Sequence, residues 1–142
     1  MEQVVPTSPE AVIAVVADLT TLPAWMTRVE AVERADAERA RVRERLGRRT
    51  RPFEVEQVER TATTFLLRAT RTPFSFVASF RAETAPGGSR VVYTRDLTPS
   101  TRVTATLFRL LGRQLRWAWA GPMRQELQRV SALATTRKDS DD

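Results

Sequence analysis

Hydrophobic positions follow two different periods along the chain and divide it into a helical start, a sheet and a helical end. Residues 11–16 are apolar almost all round, which predicts a short, well-buried helix. Ser8 is suited to be its N-cap and Pro9 its first helical residue, and the helix is expected to end at residue 17 or 18. Residues 19–26 predict a second short helix or helical turn.

Apolar and polar residues then alternate from residue 29 to residue 97, which is the period of β-strands. Short turns separate the alternating segments, so consecutive strands are expected to pair as antiparallel neighbours. The predicted strands are 29–34, 39–46, 51–60, 63–71, 74–84 and 89–97, and a shorter strand, 2–5, precedes the helices. One face of this sheet is aromatic and aliphatic and the other is polar, as in a half-solvated sheet.

The helical period returns over residues 101–135. An apolar stripe runs along this predicted helix: Leu107, Leu111, Leu115, Trp119, Met123, Leu127, Val130 and Ala134. The stripe matches the apolar face of the sheet, so the helix is expected to cover that face. Pro122 is expected to kink or divide the helix. The charged residues 137–142 predict a disordered tail after a single domain of residues 1–136.

These elements predict an α+β fold. A curved, seven-stranded antiparallel sheet would wrap around a long C-terminal helix, with two short helices between strands 1 and 2. Aromatic residues on the facing surfaces can hold the sheet and the helix apart, which would leave space between them.

The composition excludes several kinds of chemistry. The chain has 142 residues with no cysteine and no histidine, so disulfides, thiolate catalysis and Ser-His-Asp or Cys-His mechanisms are ruled out. No metal-binding spacing, phosphate loop or dinucleotide fingerprint is present, and no cofactor or metal is expected. The N-terminus lacks the pattern of a signal peptide and no apolar run approaches the length of a membrane span. We therefore expect a cytoplasmic protein without stable membrane insertion.

The net charge of +6 comes almost entirely from arginine, and its densest cluster lies on one predicted strand and the following turn. The cluster consists of Arg39, Arg41, Arg43, Arg45, Arg48, Arg49 and Arg51. An anionic partner such as RNA or a membrane surface fits this cluster. A solvated outer strand face, balanced by Glu38 and Glu44, fits it better because no exposed aromatic residues are interleaved. No nucleic-acid partner is therefore favoured.

A second basic group, Arg109, Arg113 and Arg116, lies on the polar side of the predicted C-terminal helix. With Leu107, Phe108 and Leu111 it fits a membrane-touching helix. A core-facing amphipathic helix explains the same residues and is the preferred interpretation.

Four polar residues interrupt the apolar face of the predicted sheet: Glu44, Gln57, Tyr93 and Arg95. A few polar groups on apolar walls are typical of a small-molecule site. Arg95 is suited to hold a carboxylate, phenolate or enolate, Tyr93 to donate a hydrogen bond, and Glu44 to act as a base. A structural role explains the pattern too, with Glu44 and Arg95 near an open edge or paired with each other.

The order of elements, with particular residues at their joints, resembles the START-like superfamily, also called SRPBCC. The residues that carry the resemblance are Ser8-Pro9-Glu10-Ala11-Val12, Ala17-Asp18-Leu19, Leu22-Pro23-Ala24-Trp25-Met26, the hairpin Pro86-Gly87-Gly88-Ser89-Arg90-Val91, and the helix from Leu110-Leu111-Gly112 through Leu127. This superfamily includes polyketide cyclases and dehydrases, allergens of the birch-pollen type, and lipid-transfer proteins. The resemblance implies a helix-grip fold and a cavity that binds an apolar small molecule.

The resemblance favours a real pocket over an ordinary packed core, which would bury the same side chains. The candidate ligand-binding residues are Trp25, Phe53, Val55, Phe65, Leu67, Phe76, Phe80, Tyr93, Arg95, Trp119 and Met123, with Glu44 and Gln57 as polar pocket candidates. We expect a monomer or weak homodimer that binds a hydrophobic or aromatic ligand.

Two alternatives stay open. One is a cofactor-independent polyketide cyclase or dehydrase, in which Arg95, Tyr93 or Glu44 would polarise a carbonyl or move a proton. Relatives of this kind use arginine and tyrosine in their pockets, but no catalytic residue is carried over to this chain. The other is a protein-interaction module that uses the basic strand.

Overall fold

The structure is a computed structural model that describes the backbone of residues 1–71 and 74–141. It also describes their side chains, except those of residues 115–119 and 138–141. The described residues form seven strands and three α-helices: β1 (Glu2–Val5), α1 (Pro9–Ala17), a 3₁₀ turn (Leu19–Thr21), α2 (Leu22–Trp25), β2 (Val29–Ala35), β3 (Arg39–Leu46), β4 (Arg49–Arg60), β5 (Thr64–Thr70), β6 (Phe74–Ala85), β7 (Gly88–Pro99) and α3 (Arg102–Asp141).

All seven strands form one antiparallel sheet in the order β1-β7-β6-β5-β4-β3-β2. The predicted fold class is confirmed, with its two short helices between strands 1 and 2. The short first strand pairs along its whole length with β7, from Glu2 opposite Val92 to Val5 opposite Ser89. Gly88 permits this close approach, because a Cβ atom there would lie 2.1 Å from the Val5 carbonyl oxygen.

Alternation places the apolar face of each strand in the core, as the sequence predicts. Phe65, Leu67, Phe80 and Val91 are fully buried on that face. The C-terminal half of α3 covers them with Leu127, Val130 and Ala134, which are also buried. Helix α1 begins at its predicted N-cap, where the Ala11 amide donates to Ser8 Oγ at 3.2 Å.

The N-terminal half of α3 differs from the prediction in two ways. The backbone leaves helical geometry at Leu111 (φ −117°, ψ 15°), just before Gly112, whereas Pro122 lies inside the helix. The expectation that Leu107 and Leu111 face the core is wrong, because both side chains are exposed. Among the stripe residues whose side chains the structure describes, Leu127, Val130 and Ala134 are buried and Met123 is partly buried, so the packed part of the stripe lies beyond the break.

Helix α3 continues through Asp141 and so enters the segment assigned to a disordered tail. Arg137, the first residue of that segment, donates to Asp18 Oδ2 at 3.0 Å, and the disorder of the tail stays a prediction. Among the helices in the described part of the chain, none is long and apolar enough to cross a membrane.

Candidate functional site

A half-open cavity of about 530 Å³ lies between β7 and helix α3. Its lining residues are Met1, Arg95, Asp96, Leu97, Phe108, Ala120 and Met123. Strand β7 contributes Arg95 and Leu97 because alternate residues of a strand point to the same face. Helix α3 contributes Phe108 from before its break at Leu111 and Met123 from after it. The break therefore lets one helix supply two walls of the cavity.

A buried polar cluster adjoins this cavity, consisting of Tyr93, Arg95 and Glu126. Arg95 Nη2 donates to Tyr93 Oη at 2.7 Å and to Glu126 Oε1 at 2.9 Å. The Tyr93 hydroxyl donates to the same Glu126 oxygen at 2.9 Å. All three side chains are almost removed from water, with Arg95 9% exposed. Glu126 Oε1 on α3 thus holds the side chains of both Tyr93 and Arg95.

The second oxygen of Glu126 holds the segment that follows α2. Thr27 donates to Oε2 through its amide at 2.9 Å and through its hydroxyl at 3.1 Å. Glu126 therefore accepts from two elements far apart in sequence, β7 and the end of α2, and links both to α3. A buried carboxylate with this many donors is well satisfied.

The cluster sets the protonation of its members. Burial raises the pKa of Tyr93 well above its usual range, and the neighbouring Glu126 carboxylate adds to this, although Arg95 works in the opposite direction. Burial alone would lower the pKa of Arg95, but Tyr93 and Glu126 raise it on balance. Tyr93 is therefore a neutral hydrogen-bond donor at physiological pH, and Arg95 stays a cation.

Aromatic rings hold the two donors in place. The Tyr93 ring stacks on Phe80 with centroids 4.3 Å apart and planes 8° from parallel. The Arg95 guanidinium lies over the Phe76 ring, 4.4 Å from its centroid. Such packing restricts both side chains to one arrangement and places the guanidinium at the cavity.

Among the described residues, one donor nitrogen of this cluster has no acceptor. Arg95 Nε is buried and unpartnered in the structure. Leaving such a donor unsatisfied costs roughly 1–3 kcal/mol. Because that nitrogen is also closed to solvent, it does not face the half-open cavity directly. Two other buried polar atoms also lack partners, Trp25 Nε1 and Gln57 Oε1.

A second buried carboxylate, Glu44, forms a separate cluster with Arg51 and Arg71. Arg51 donates to Glu44 Oε1 from Nε at 2.9 Å and from Nη2 at 2.8 Å, and Arg71 Nη1 contacts Oε2. Glu44 is 1% exposed. It therefore does not pair with Arg95, and a carboxylate bound by two guanidinium groups is poorly placed to act as a base.

The basic strand is balanced by acidic residues on its neighbours. Arg41 pairs with Glu33 at 3.2 Å and with Glu54 at 3.8 Å, and Arg43 also contacts Glu33. A depression of about 440 Å³ on this outer face contains charges of both signs and is lined by Arg39, Arg41, Pro52, Phe53, Glu54, Val55, Glu56, Arg68 and Thr70. The pairing favours the solvated-face interpretation and offers little net charge to a polyanion.

The structure separates the predicted ligand-binding residues into two groups. Arg95 and Met123 line the cavity. Others lie within the buried core: Trp25, Phe53, Val55, Phe65, Leu67, Phe76, Phe80 and Tyr93. The side chain of Trp119 lies outside the described residues. Gln57 is half-buried on β4. Whether these residues bind ligand stays a prediction.

Sequence analysis missed Glu126, Thr27 and Phe108 as parts of the site. Glu126 carried a usable signal, because it lies three residues after Met123 and four before Val130, on the stripe that faces the core. A charged residue at such a position needs a partner, and Arg95 on the apolar face of the sheet has the complementary charge. Thr27 has no comparable signal, since it acts mainly through its backbone amide.

Comparison with solved structures shows the same architecture elsewhere. A protein of Thermus thermophilus has a TM-score of 0.70 at 19% identity, covering 96% of each chain. The Zhui aromatase/cyclase from Streptomyces sp. R1128 has a TM-score of 0.73 at 16% identity, covering 96% of this chain and 92% of its own. The di-domain ARO/CYC StfQ of the steffimycin biosynthetic pathway matches over half its length, at 10% identity, 98% coverage of this chain and a TM-score of 0.72. At these identities the likeness shows the fold alone.

In sequence, no curated protein matches the chain. A family described as polyketide cyclase / dehydrase and lipid transport does match, over residues 1–135. That range covers every strand and the packed part of α3, and it confirms the resemblance found in the sequence. The chain therefore belongs to the polyketide cyclase/dehydrase and lipid transport family.

Proposed function

We propose that this protein binds a small apolar molecule that carries an oxygen acceptor, in the cavity between β7 and α3. The observation that carries the proposal is the Arg95 guanidinium group, which lines a cavity whose other walls are mainly apolar. The volume of about 530 Å³ lies within the usual range of roughly 300–1,000 Å³ for small-molecule sites. A lipid- or polyketide-like molecule fits that volume and polarity.

The charges favour a neutral acceptor over a strong anion. Arg95 already has a counter-charge in Glu126, 2.9 Å away, so the pair offers one directed donor without excess positive charge. A ketone, ester or hydroxyl oxygen is therefore the ligand group that this site would accept most readily.

A cyclase or dehydrase is the second candidate, favoured by the 2.7 Å pairing of Arg95 with Tyr93. Arg95, held by Tyr93 at the cavity wall, would stabilise the enolate that develops on a carbonyl there. The available carboxylate, Glu126, already accepts from Thr27, Tyr93 and Arg95. Since its lone pairs are engaged, it is a poor proton acceptor, and binding is the better-supported function.

Filling the cavity tests the binding proposal. Ala120→Phe adds a ring to the cavity wall, whereas Ala132→Phe adds the same ring on an exposed position of the same helix. Native mass spectrometry of the purified protein, followed by denaturation and analysis of released molecules, should find an apolar passenger in the wild type and Ala132→Phe but not in Ala120→Phe. Equal uptake of apolar probes by both variants would contradict the proposal.

Turnover separates the two candidates. A cyclase should convert poly-β-keto mimics, and Arg95→Gln should abolish that conversion because it removes the cationic donor at the cavity wall. A binding protein should take up the same mimics and release them unchanged.

A further inference from the structure

The segment of α3 before its break, Arg102–Leu111, carries an exposed apolar stripe. Val103 is 71% exposed, Leu107 45%, Leu110 73% and Leu111 41%. These positions follow the spacing i, i+4, i+7 and i+8, which places them on one side of the helix. The opposite side faces the domain, where Phe108 packs against Phe74 with ring centroids 6.1 Å apart. One surface of the segment is therefore anchored and the other is a continuous apolar strip in water.

Basic residues flank this strip, and the stretch of sequence around it contains no acidic residue. Between Asp96 and Glu126 the sequence contains five arginines and no aspartate or glutamate. Arg102 and Arg109 lie seven residues apart, so they share one side of the helix next to the apolar strip, and both are exposed. This differs from the basic strand β3, where glutamates of β2 and β4 pair with the arginines.

The strip is continuous with the mouth of the cavity. Phe108 lines the cavity between β7 and α3, and it also lines a surface groove together with Arg109, Leu110 and Arg113. The groove shares Phe108 with the cavity and Leu110 with the apolar strip, so it connects the two surfaces.

We propose that the segment Arg102–Leu111 docks the protein on the surface of an anionic phospholipid bilayer. An interfacial helix buries an apolar face at the headgroup boundary and keeps arginines at the phosphate level, which is the arrangement of this segment. A second copy of the chain is a poorer occupant, because it would bring two arginine-rich helices together without counter-charges. Docking would place the cavity mouth at the membrane, where apolar molecules are concentrated.

Vesicle co-sedimentation tests the proposal with the full chain and no added ligand. The wild type should bind vesicles of phosphatidylcholine with phosphatidylglycerol, bind pure phosphatidylcholine far less, and dissociate as salt rises. Leu107→Ser/Leu110→Ser should weaken binding by roughly tenfold or more, since each leucine loses its burial in the interface. The matched control Val4→Ser/Val58→Ser changes two exposed apolar residues on the sheet, 55% and 44% exposed, and should bind as the wild type does.

A charge pair of variants completes the design. Arg102→Gln/Arg109→Gln should weaken binding by roughly fivefold per arginine, whereas Arg60→Gln/Arg81→Gln, at exposed sheet positions, should have little effect. Circular dichroism should show every variant folded, because all these side chains are exposed.

Three results would overturn the proposal. These are no binding to anionic vesicles, equal binding by the leucine variant and its control, and a dimer in sedimentation velocity that Leu107→Ser/Leu110→Ser dissociates. The last result would assign the strip to self-association. None of these measurements depends on a ligand in the cavity, so failure here would leave the proposed binding function intact.

Discussion

Two buried carboxylates, Glu126 and Glu44, sit on the inner side of this fold in different surroundings. Glu126 is bound by neutral donors and one arginine, and it joins α3, β7 and the end of α2. Glu44 is bound by two arginines, Arg51 and Arg71, and it ties strands and their connections within the sheet. The first cluster is electrically balanced, whereas the second carries an excess positive charge.

The two clusters also differ in the pKa values and hydrogen-bond partners of their arginines. Burial lowers the pKa of Arg71, and the nearby charges of Arg95 and Arg51 add to this, although Glu44 opposes it. The pKa of Arg95 is instead raised on balance by its partners. Arg71 also donates from Nε to the Phe74 carbonyl at 3.1 Å, so that nitrogen is satisfied, while Nε of Arg95 is not. The Glu44 cluster stabilises the sheet, whereas the Glu126 cluster holds the Arg95 guanidinium group at the cavity wall.

Glu126→Ala is expected to have the largest effect on stability, about 3–5 kcal/mol. It leaves Arg95 buried without a counter-charge and takes the acceptor from the Thr27 amide and the Tyr93 hydroxyl. Urea unfolding at pH 7 measures the loss. Glu126→Gln should be milder because the amide keeps one acceptor oxygen.

Glu44→Ala should cost less, about 1–3 kcal/mol. Its two arginines are 29% and 17% exposed, so they can turn toward water once the carboxylate is gone. The same urea titrations decide the order, and a larger loss for Glu44→Ala than for Glu126→Ala would reverse the comparison.

Tyr93→Phe should cost about 1 kcal/mol at pH 7, the usual net value of one buried hydrogen bond. The pKa of Tyr93 is raised in the folded protein, so its contribution is complete below the unfolded value of about 10 and falls as the pH rises above it. Tyr93 is the one tyrosine in the chain, and tyrosinate absorbance near 295 nm should appear only as the protein unfolds. Titration of the folded protein with an ordinary tyrosine pKa would contradict the burial of this group.

Arg51→Gln should have the smallest effect, below about 1 kcal/mol, because this pair is partly exposed and Arg71 still neutralises Glu44. Repeating the unfolding titration at high salt should shrink the difference further, since a partly exposed ion pair is screened. A salt-independent loss of several kcal/mol would show that Arg51 is part of the buried core.

The sheet could be predicted from sequence because alternation specifies both the strands and their buried face. The pattern that placed Phe65 and Phe80 in the core also placed Glu44 and Arg95 there, and the structure agrees. The partners of those charges could not be predicted, because Arg95 meets Glu126 across 31 positions of sequence and Arg71 lies at the end of a strand. Pairings of this kind depend on how the sheet and helix meet.

The long helix shows a second limit of periodicity. Leu107 and Leu127 belong to the same regular stripe in the sequence, yet Leu127 is buried and Leu107 is exposed. Apolar periodicity identifies the side of a helix that avoids polar residues, but it does not reveal how far the opposing sheet reaches. In the sequence, Pro122 is the stronger signal for a helix break. The backbone instead leaves helical geometry at Leu111, next to Gly112, a residue that weakens helices.

The most direct test of the proposed binding function replaces Arg95 with lysine. Arg95→Lys keeps the charge beside Glu126 but removes the planar guanidinium group at the cavity wall, and Arg71→Lys is the matched control. Binding should be measured by fluorescence with an apolar naphthalene probe that carries a ketone, and with the same probe reduced to the hydrocarbon. We predict that Arg95→Lys weakens binding of the ketone about tenfold, leaves binding of the hydrocarbon unchanged, and that Arg71→Lys changes neither. Equal affinity of the ketone for wild type and Arg95→Lys would contradict the assignment of Arg95 as the ligand's hydrogen-bond donor.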